Sequence, residues 1–280
     1  MFLDRPKGIE NLHKIIQAAK ARLLIMISLP RDFWWIFTAL PRFWPRNVQL
    51  PLSIITGADS THEKSLVQLL ASISVHEPLA RVTVWDLGLS YQARQKIITM
   101  SWDLKTFDYA DYPSYFNIKI DAGQYAWKPI IISETQTKPG EIVLWLDAGC
   151  VLRGQLRWLR KMSKTMGFFS PSSAGTLEDW THPATLRFLD FDADSSLHNN
   201  LNAAIVSYCT DNAKGMDLIA EWARCAREPE CIAPQGANRS NHRQDQAVLS
   251  VLATQFGFNG PEFFRTPRRP LRISAHQDID

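Results

Sequence analysis

The sequence predicts an α/β protein with a mostly parallel central sheet, and three observations carry that prediction. Segments of strand character alternate with segments of helical period, in the order strand, helix, strand, helix, strand. The last strand, Glu141-Ile-Val-Leu-Trp-Leu, is apolar almost throughout and bounded by Pro139-Gly140 and Gly149, which suits a strand covered on both faces. Small and acidic residues recur where strands end, at Gly57-Ala58-Asp59, Asp86 and Asp147, and ligands of such sheets bind at the carboxyl ends of strands.

Taken in order, residues 9–29 place Ile9, Leu12, Ile15, Ile16, Ala19, Leu23 and Leu24 at near-helical spacing. Phe33-Trp34-Trp35 and Phe43-Trp44 follow. With eight basic and three acidic side chains in residues 1–50, the spacing predicts a basic, aromatic helical arm over 1–48 ahead of one domain over 49–280. Rings mixed with arginine suit a membrane interface; the other reading packs the arm on the domain. Leu52-Ser-Ile-Ile-Thr-Gly then reads as the first strand. Glu63 to His76 reads as a helix with Leu66, Leu69, Leu70 and Ile73 on one face. Arg81 to Asp86 is the second strand and Tyr91 to Met100 a short helix. Lys128-Pro129 opens a helix, with proline suited to its first turn. His242-Arg-Gln-Asp-Gln opens another, over Ala247 to Leu252.

Composition narrows the function. The 280 residues carry 31 basic and 28 acidic side chains, a net charge of +3, with 45% hydrophobic and 21% charged residues. That balance excludes a disordered tail, a collagen and a coiled coil, and the charge gives no electrostatic case for nucleic acid. The longest apolar run, Leu23 to Leu29, ends at Pro30-Arg31-Asp32, short of the about 20 residues a spanning helix needs, and no secretory cleavage pattern follows it. Four cysteines, Cys150, Cys209, Cys225 and Cys231, include no C-x-x-C pair for zinc. Cys225 and Cys231 are near enough to pair in an oxidising compartment; two buried thiols is the other reading. The expected location is cytoplasmic and peripheral on the membrane, with the Golgi lumen as the alternative.

Four clusters could carry chemistry. Asp147-Ala148-Gly149 follows a buried strand, where a carboxylate needs a cation or a donor. Gly57-Ala58-Asp59-Ser60-Thr61 stands between strand and helix, a place that favours anions, yet it is neither a Walker loop nor a G-x-G-x-x-G fingerprint. Hydride transfer therefore loses most of its support. Lys128 can reach a phosphate or fix the Asp147 carboxylate. Asp245 and Gln246 fall in the first turn of a helix, where the dipole favours a carboxylate. Each also has a plain structural role open to it, as a cap or a solvated side chain.

In this order the pieces resemble a GT-A type glycosyltransferase, most closely glycosyltransferase family 8. The resemblance covers roughly residues 50–255. It implies a uridine-binding turn at Gly57, Ala58, Asp59 and Ser60, with Asp86 after the second strand. The family's Asp-x-Asp metal motif falls on Asp147, Ala148 and Gly149, and its Asn-Ala-Gly-Val strand along the sugar pocket on Asn202-Ala203-Ala204-Ile205-Val206. Its later Asp-Gln pair, near the anomeric carbon, falls on Asp245 and Gln246. Lys128 joins the donor-binding set, and Asp245 and Gln246 become the catalytic pair. Gly149 replaces the second metal carboxylate, so Mn²⁺ or Mg²⁺ would be held by Asp147 with His276, or with His242. Without a metal, Lys128, Arg265, Arg268, Arg269 and Arg272 would neutralise the diphosphate. The implied partners are a nucleotide-sugar donor, UDP-sugar favoured, and a saccharide or glycolipid acceptor, with an anionic membrane surface met by residues 1–48. The rivals are a non-catalytic sugar- or nucleotide-binding module, which Gly149 favours, and a sugar-phosphate nucleotidyltransferase.

Overall fold

Strand β1, Leu52–Ala58, buries all seven of its residues and opens the fold seen in a computed structural model, which describes residues 50–259 and 271–279. The expected arm over 1–48 and Arg265, Arg268 and Arg269 lie outside the described residues. Helix α1 (Glu63–His76) follows, then β2 (Arg81–Asp86), α2 (Tyr91–Thr99) and β3 (Asp103–Thr106). Short turns lead to α3 (Trp127–Glu134), β4 (Ile142–Leu146), β5 (Val151–Leu152), α4 (Arg157–Met166) and β6 (Phe168–Phe169). The remainder is β7 (Ser172–Thr176), α5 (Leu177–Trp180), α6 (Pro183–Phe188), β8 (Asn199–Leu201), β9 (Ile205–Cys209), α7 (Ala213–Ala226), α8 (Pro229–Ile232), α9 (Gln244–Gln255) and β10 (Ile273–Ser274).

Six strands form the central sheet in the order β3-β2-β1-β4-β9-β6. Strands β1, β2, β3 and β4 are parallel, while β9 runs antiparallel to both β4 and β6. The sheet is thus mixed and mostly parallel, as the alternation predicts, with β9 reversed. Side chains alternate across it. Ile142, Leu144 and Leu146 join Ile54, Leu66, Leu70 and Ile73 in one core. Val143 and Trp145 join Ile55, Ile130, Tyr208, Trp222 and Val248 in the other. Each fully buried side chain of this size contributes about 1.5–3 kcal/mol, which is why β4 tolerates no polar residue.

Three local expectations change. Asn202-Ala203-Ala204 is a turn between β8 and β9 rather than a strand, because Asn202 Oδ1 accepts from Ala204 N at 3.0 Å and bends the chain. Helix α9 runs longer than its apolar run, from Gln244 to Gln255. Cys225 and Cys231 are joined in a disulfide, while Cys150 and Cys209 are buried free thiols. Hydrogen bonds from Glu228 N to Cys225 O and from Cys231 N to Glu228 O fold α7 back onto α8 and bring the two sulfurs together.

Candidate active site

At the carboxyl end of β4 the chain gathers an ion triad in which Lys128 and Asp245 are buried and Asp147 is half-exposed. Period-two alternation puts Asp147 on the same face as Trp145, and Trp145 Nε1 donates to Asp147 Oδ1 at 2.6 Å. Helix α3 brings Lys128 to the same atom. Its Nζ lies 3.0 Å from Asp147 Oδ1 and 3.0 Å from Asp245 Oδ2, with the Ala203 carbonyl at 3.5 Å. Lys128 is only 3% exposed. Burial alone would lower its pKa, but Asp147 and Asp245 hold it above the usual lysine range. The rings of Tyr125 and Trp145 stand 5.5 and 5.8 Å from its ammonium.

Asp245 sits in the first turn of α9, whose backbone is pinned where Trp222 Nε1 donates to Asp245 O at 3.0 Å. Burial pushes its carboxyl up to about 6, with the charge of Asp147 acting the same way and Lys128 opposing. Gln246 follows it, half-buried.

The turns after β1 and β2 are built differently. Ala58 O accepts from Leu87 N, and Gly88 O from Ser60 N, so the two turns brace each other. A Cβ on Gly57 would stand 3.1 Å from Trp85 O, so its missing side chain serves the approach of β2. Asp59 Oδ1 is met by Thr61 N, Thr61 Oγ1 and His62 Nδ1 within 3.1 Å. Buried Asp86 accepts from Gly88 N and Leu89 N at 2.8 and 2.7 Å, and Arg94 Nε stands 2.6 Å from its other oxygen. Asp86 thus shapes the turn that follows it. Tyr109, which sequence reasoning missed, donates to Leu87 O; burial, then the charges of Asp59 and Asp86, raise its phenol well above the usual range.

The expected metal ligands do not come together as a set. His242 is buried and neutral, held at about 4 chiefly by burial. Its Nδ1 accepts from His182 N, so Nε2 carries the proton toward Ile232 O at 2.9 Å, and neither nitrogen is left for a metal. His276 lies on the C-terminal segment, which Gln277 N fastens to Gly149 O at 2.7 Å. There a Cβ on Gly149 would collide with the Asp278 carboxylate. Among the described residues no three His, Cys, Asp or Glu side chains form a group that could hold a metal ion. The donor set therefore does not fit a preassembled divalent-cation site, and the cation in place beside Asp147 is Lys128. Arg272, the described member of the expected arginine set, lies against Gly154.

No family model and no curated protein matches the chain. Among solved structures it is similar to the galactosyltransferase LgtC in complex with donor and acceptor sugar analogs, at 15% identity and TM-score 0.46, over 80% of this chain and 86% of that one. It is also similar to the bifunctional glycosyltransferase WbbM, at 12% identity and TM-score 0.47, over 74% of this chain and 38% of that one. Mouse xyloside xylosyltransferase 1 is similar at 12% identity and TM-score 0.45, over 79% and 85%. Likenesses this shallow concern the course of the chain and not its chemistry.

Proposed function

We propose that this chain is a GT-A type glycosyltransferase that moves a sugar, a hexose in the favoured reading, from a UDP-sugar to a saccharide acceptor. The observation that carries the proposal is the Asp147–Lys128–Asp245 triad at the carboxyl end of the central strand. Glycosyl transfer from such a donor develops negative charge on the leaving diphosphate and positive charge at the anomeric carbon. A lysine between two carboxylates offers one group of each kind within a few ångströms. Lys128 stabilises the departing phosphate oxygens. Asp245, ionised at neutral pH, faces the sugar and stabilises its oxocarbenium-like carbon. Asp147 holds Lys128 in place, and Gln246, Asn202 and Ala203 line the same end of the sheet. The turns at Gly57–Ser60 take the nucleoside.

The deciding experiment is a donor screen by thermal shift and hydrolysis, with UDP-, GDP- and CMP-sugars. UDP at 100 times its Kd should add about 2.7 kcal/mol of stability. No shift with any nucleotide diphosphate sinks the reading, and binding without hydrolysis of any donor turns it into the non-catalytic module. No helix of the described residues is long and apolar enough to cross a membrane. For residues 1–48 we propose a peripheral contact with anionic lipid, driven by basic groups worth about 1 kcal/mol each near the surface. Flotation with anionic liposomes should show salt-sensitive binding that disappears when residues 1–46 are deleted.

A further inference from the structure

Five consecutive residues, Asp121 to Tyr125, have φ of 46°, 54°, 61°, 51° and 54°. This is a left-handed turn that L-residues avoid, and strain of that kind persists only where the surroundings impose it. Gly123 has no space for a Cβ above the Phe116 carbonyl, and Trp127 Nε1 clamps the turn by donating to Ala122 O at 3.1 Å. The product of the turn is the position of Tyr125. Its ring centroid lies 5.5 Å from Lys128 Nζ and 5.7 Å from the Arg239 guanidinium, and Arg239 Nη1 donates to its phenolic oxygen at 3.2 Å. A second guanidinium, Arg243, stacks on Trp180 at 4.1 Å and is fixed where Arg243 N donates to Trp180 O.

Arg81, Arg94, Arg160, Arg224 and Arg227 are each ion-paired with a carboxylate. Among the described arginines Arg153, Arg157, Arg187, Arg239, Arg243 and Arg272 form no ion pair with a carboxylate, and of these only Arg239 and Arg243 lie over aromatic rings. Half-buried Arg243 is drawn below the ordinary arginine range by burial and by the like charge of Arg239. Two unneutralised guanidiniums held against aromatic planes, one of them two residues before Asp245, are matched to a bidentate oxyanion carried on a ring with a partly apolar C–H face. These residues come from the chain beyond β3, as do Lys128 and Asp245, and Tyr125 joins the two arginines to the Lys128 end of the proposed site.

We propose that Arg239 and Arg243, presented by Tyr125 and Trp180, form an acceptor subsite selective for a phosphate-bearing saccharide. This deepens the transferase reading and rests on it. The phosphate could be borne by a soluble sugar or by a lipid headgroup, and the two arms of the test separate these sources. In saturation-transfer NMR on the full chain, glucose 6-phosphate should bind about tenfold more tightly than glucose, since a charge-assisted pair of hydrogen bonds carries that preference. Arg239→Gln with Arg243→Gln should bring the two sugars level while the melting temperature stays within a few degrees. Should that double variant fail to fold, Arg239→Gln alone, at an exposed position, should remove most of the preference. Phosphatidylcholine vesicles doped with phosphatidic acid, and not the undoped ones, should displace glucose 6-phosphate if the phosphate is lipid-borne; a soluble source leaves it bound. The proposal is overturned if glucose 6-phosphate does not bind or binds no better than glucose. It also falls if the preference survives in the variants, or if UDP displaces the sugar phosphate, which would assign the arginines to the donor. Failure of UDP to bind would sink the transferase reading and leave this result readable by itself.

Discussion

The turns after β1 and β2 and the cluster after β4 use the same residue type at the same place in the fold, and they treat it in opposite ways. Asp59 meets its donors within three residues along the chain. Burial pushes its carboxyl up, but Thr61 and His62 outweigh that and leave it below the usual aspartate value. Among the described residues Asp245 pairs with one cation, Lys128, which lies 117 residues earlier in the sequence, and its carboxyl rises to about 6. In the first region one oxygen of each carboxylate is met by donors within three residues along the chain. The second shares one ammonium between two carboxylates and keeps a surplus negative charge. A strand-end aspartate with local donors builds a turn; Asp147 after β4 and Asp245 on α9, whose counter-charge arrives from Lys128, are available for chemistry.

The most severe test of that contrast is Lys128→Met. It strands the buried Asp245 carboxylate, and Asp147 loses its cation at a half-exposed position; the change should cost about 3–5 kcal/mol, read by urea denaturation, and abolish transfer. A cost below about 1 kcal/mol would show that Lys128 and Asp245 form no buried ion pair. Next comes Asp245→Asn, which should lower turnover by about a hundredfold or more while the UDP-induced thermal shift persists. Its pH dependence sharpens the point. The parent should gain activity as pH rises through about 6, where Asp245 ionises, and the variant should lack that limb. Stability runs the other way. The folded carboxyl binds its proton more tightly than the ordinary value of 3.8, so its contribution grows as pH falls from about 6 to about 4 and is lost on the way back up. Asp245→Asn should erase that slope.

In the other region the effects should be on folding. Asp86→Ala removes two amide hydrogen bonds and the Arg94 pair, for a loss of about 2–3 kcal/mol. Stability held with UDP binding gone would put the Asp86 carboxylate itself on the ligand, rather than only in the turn it shapes, and break the comparison. The smallest effect belongs to Asp59→Asn, about 0.5 kcal/mol for a partly exposed turn. Because its folded pKa is depressed, that contribution is present above about pH 4 and is lost as pH falls through the folded value, which acid titration of the two proteins should show.

Much of the scaffold is written in local pattern. Helix Glu63–His76 and strand Arg81–Asp86 have the limits that their apolar periods indicate, and the all-apolar run before Asp147 is the sheet's central strand. Lys128 and Asp147 are legible as neighbours, because a carboxylate at the end of a buried strand calls for a cation or a donor. What local pattern cannot carry is anything set by distant chain. The reversal of β9 depends on a turn made by Asn202, and a buried strand such as Ile205–Cys209 reads alike in either direction. The left-handed turn at Asp121–Tyr125 is imposed by Phe116 and Trp127, and its sequence has one glycine where four other residues adopt the same hand. Asp278 reaches Gly149 only through the pairing of β10 with β5 and the segment that follows. The Trp145–Asp147 bond, by contrast, was available from spacing alone, since residues two apart on a strand share a face.

The place of β4 between β1 and β9 also sets a timetable for synthesis. Strand β1 pairs with β2 on one side soon after both emerge, but its other side waits for Ile142–Trp145. From Ala58 to Ile142 a ribosome adds 84 residues, which takes on the order of ten seconds. Throughout that interval the nascent chain presents an unpaired edge whose seven residues are all destined for the interior, the kind of edge that recruits other chains. Expression at high level should therefore lose protein to aggregation at this stage rather than after the sheet closes. Slowing initiation, which spaces the ribosomes apart, should recover more soluble product than strengthening any contact in the finished fold.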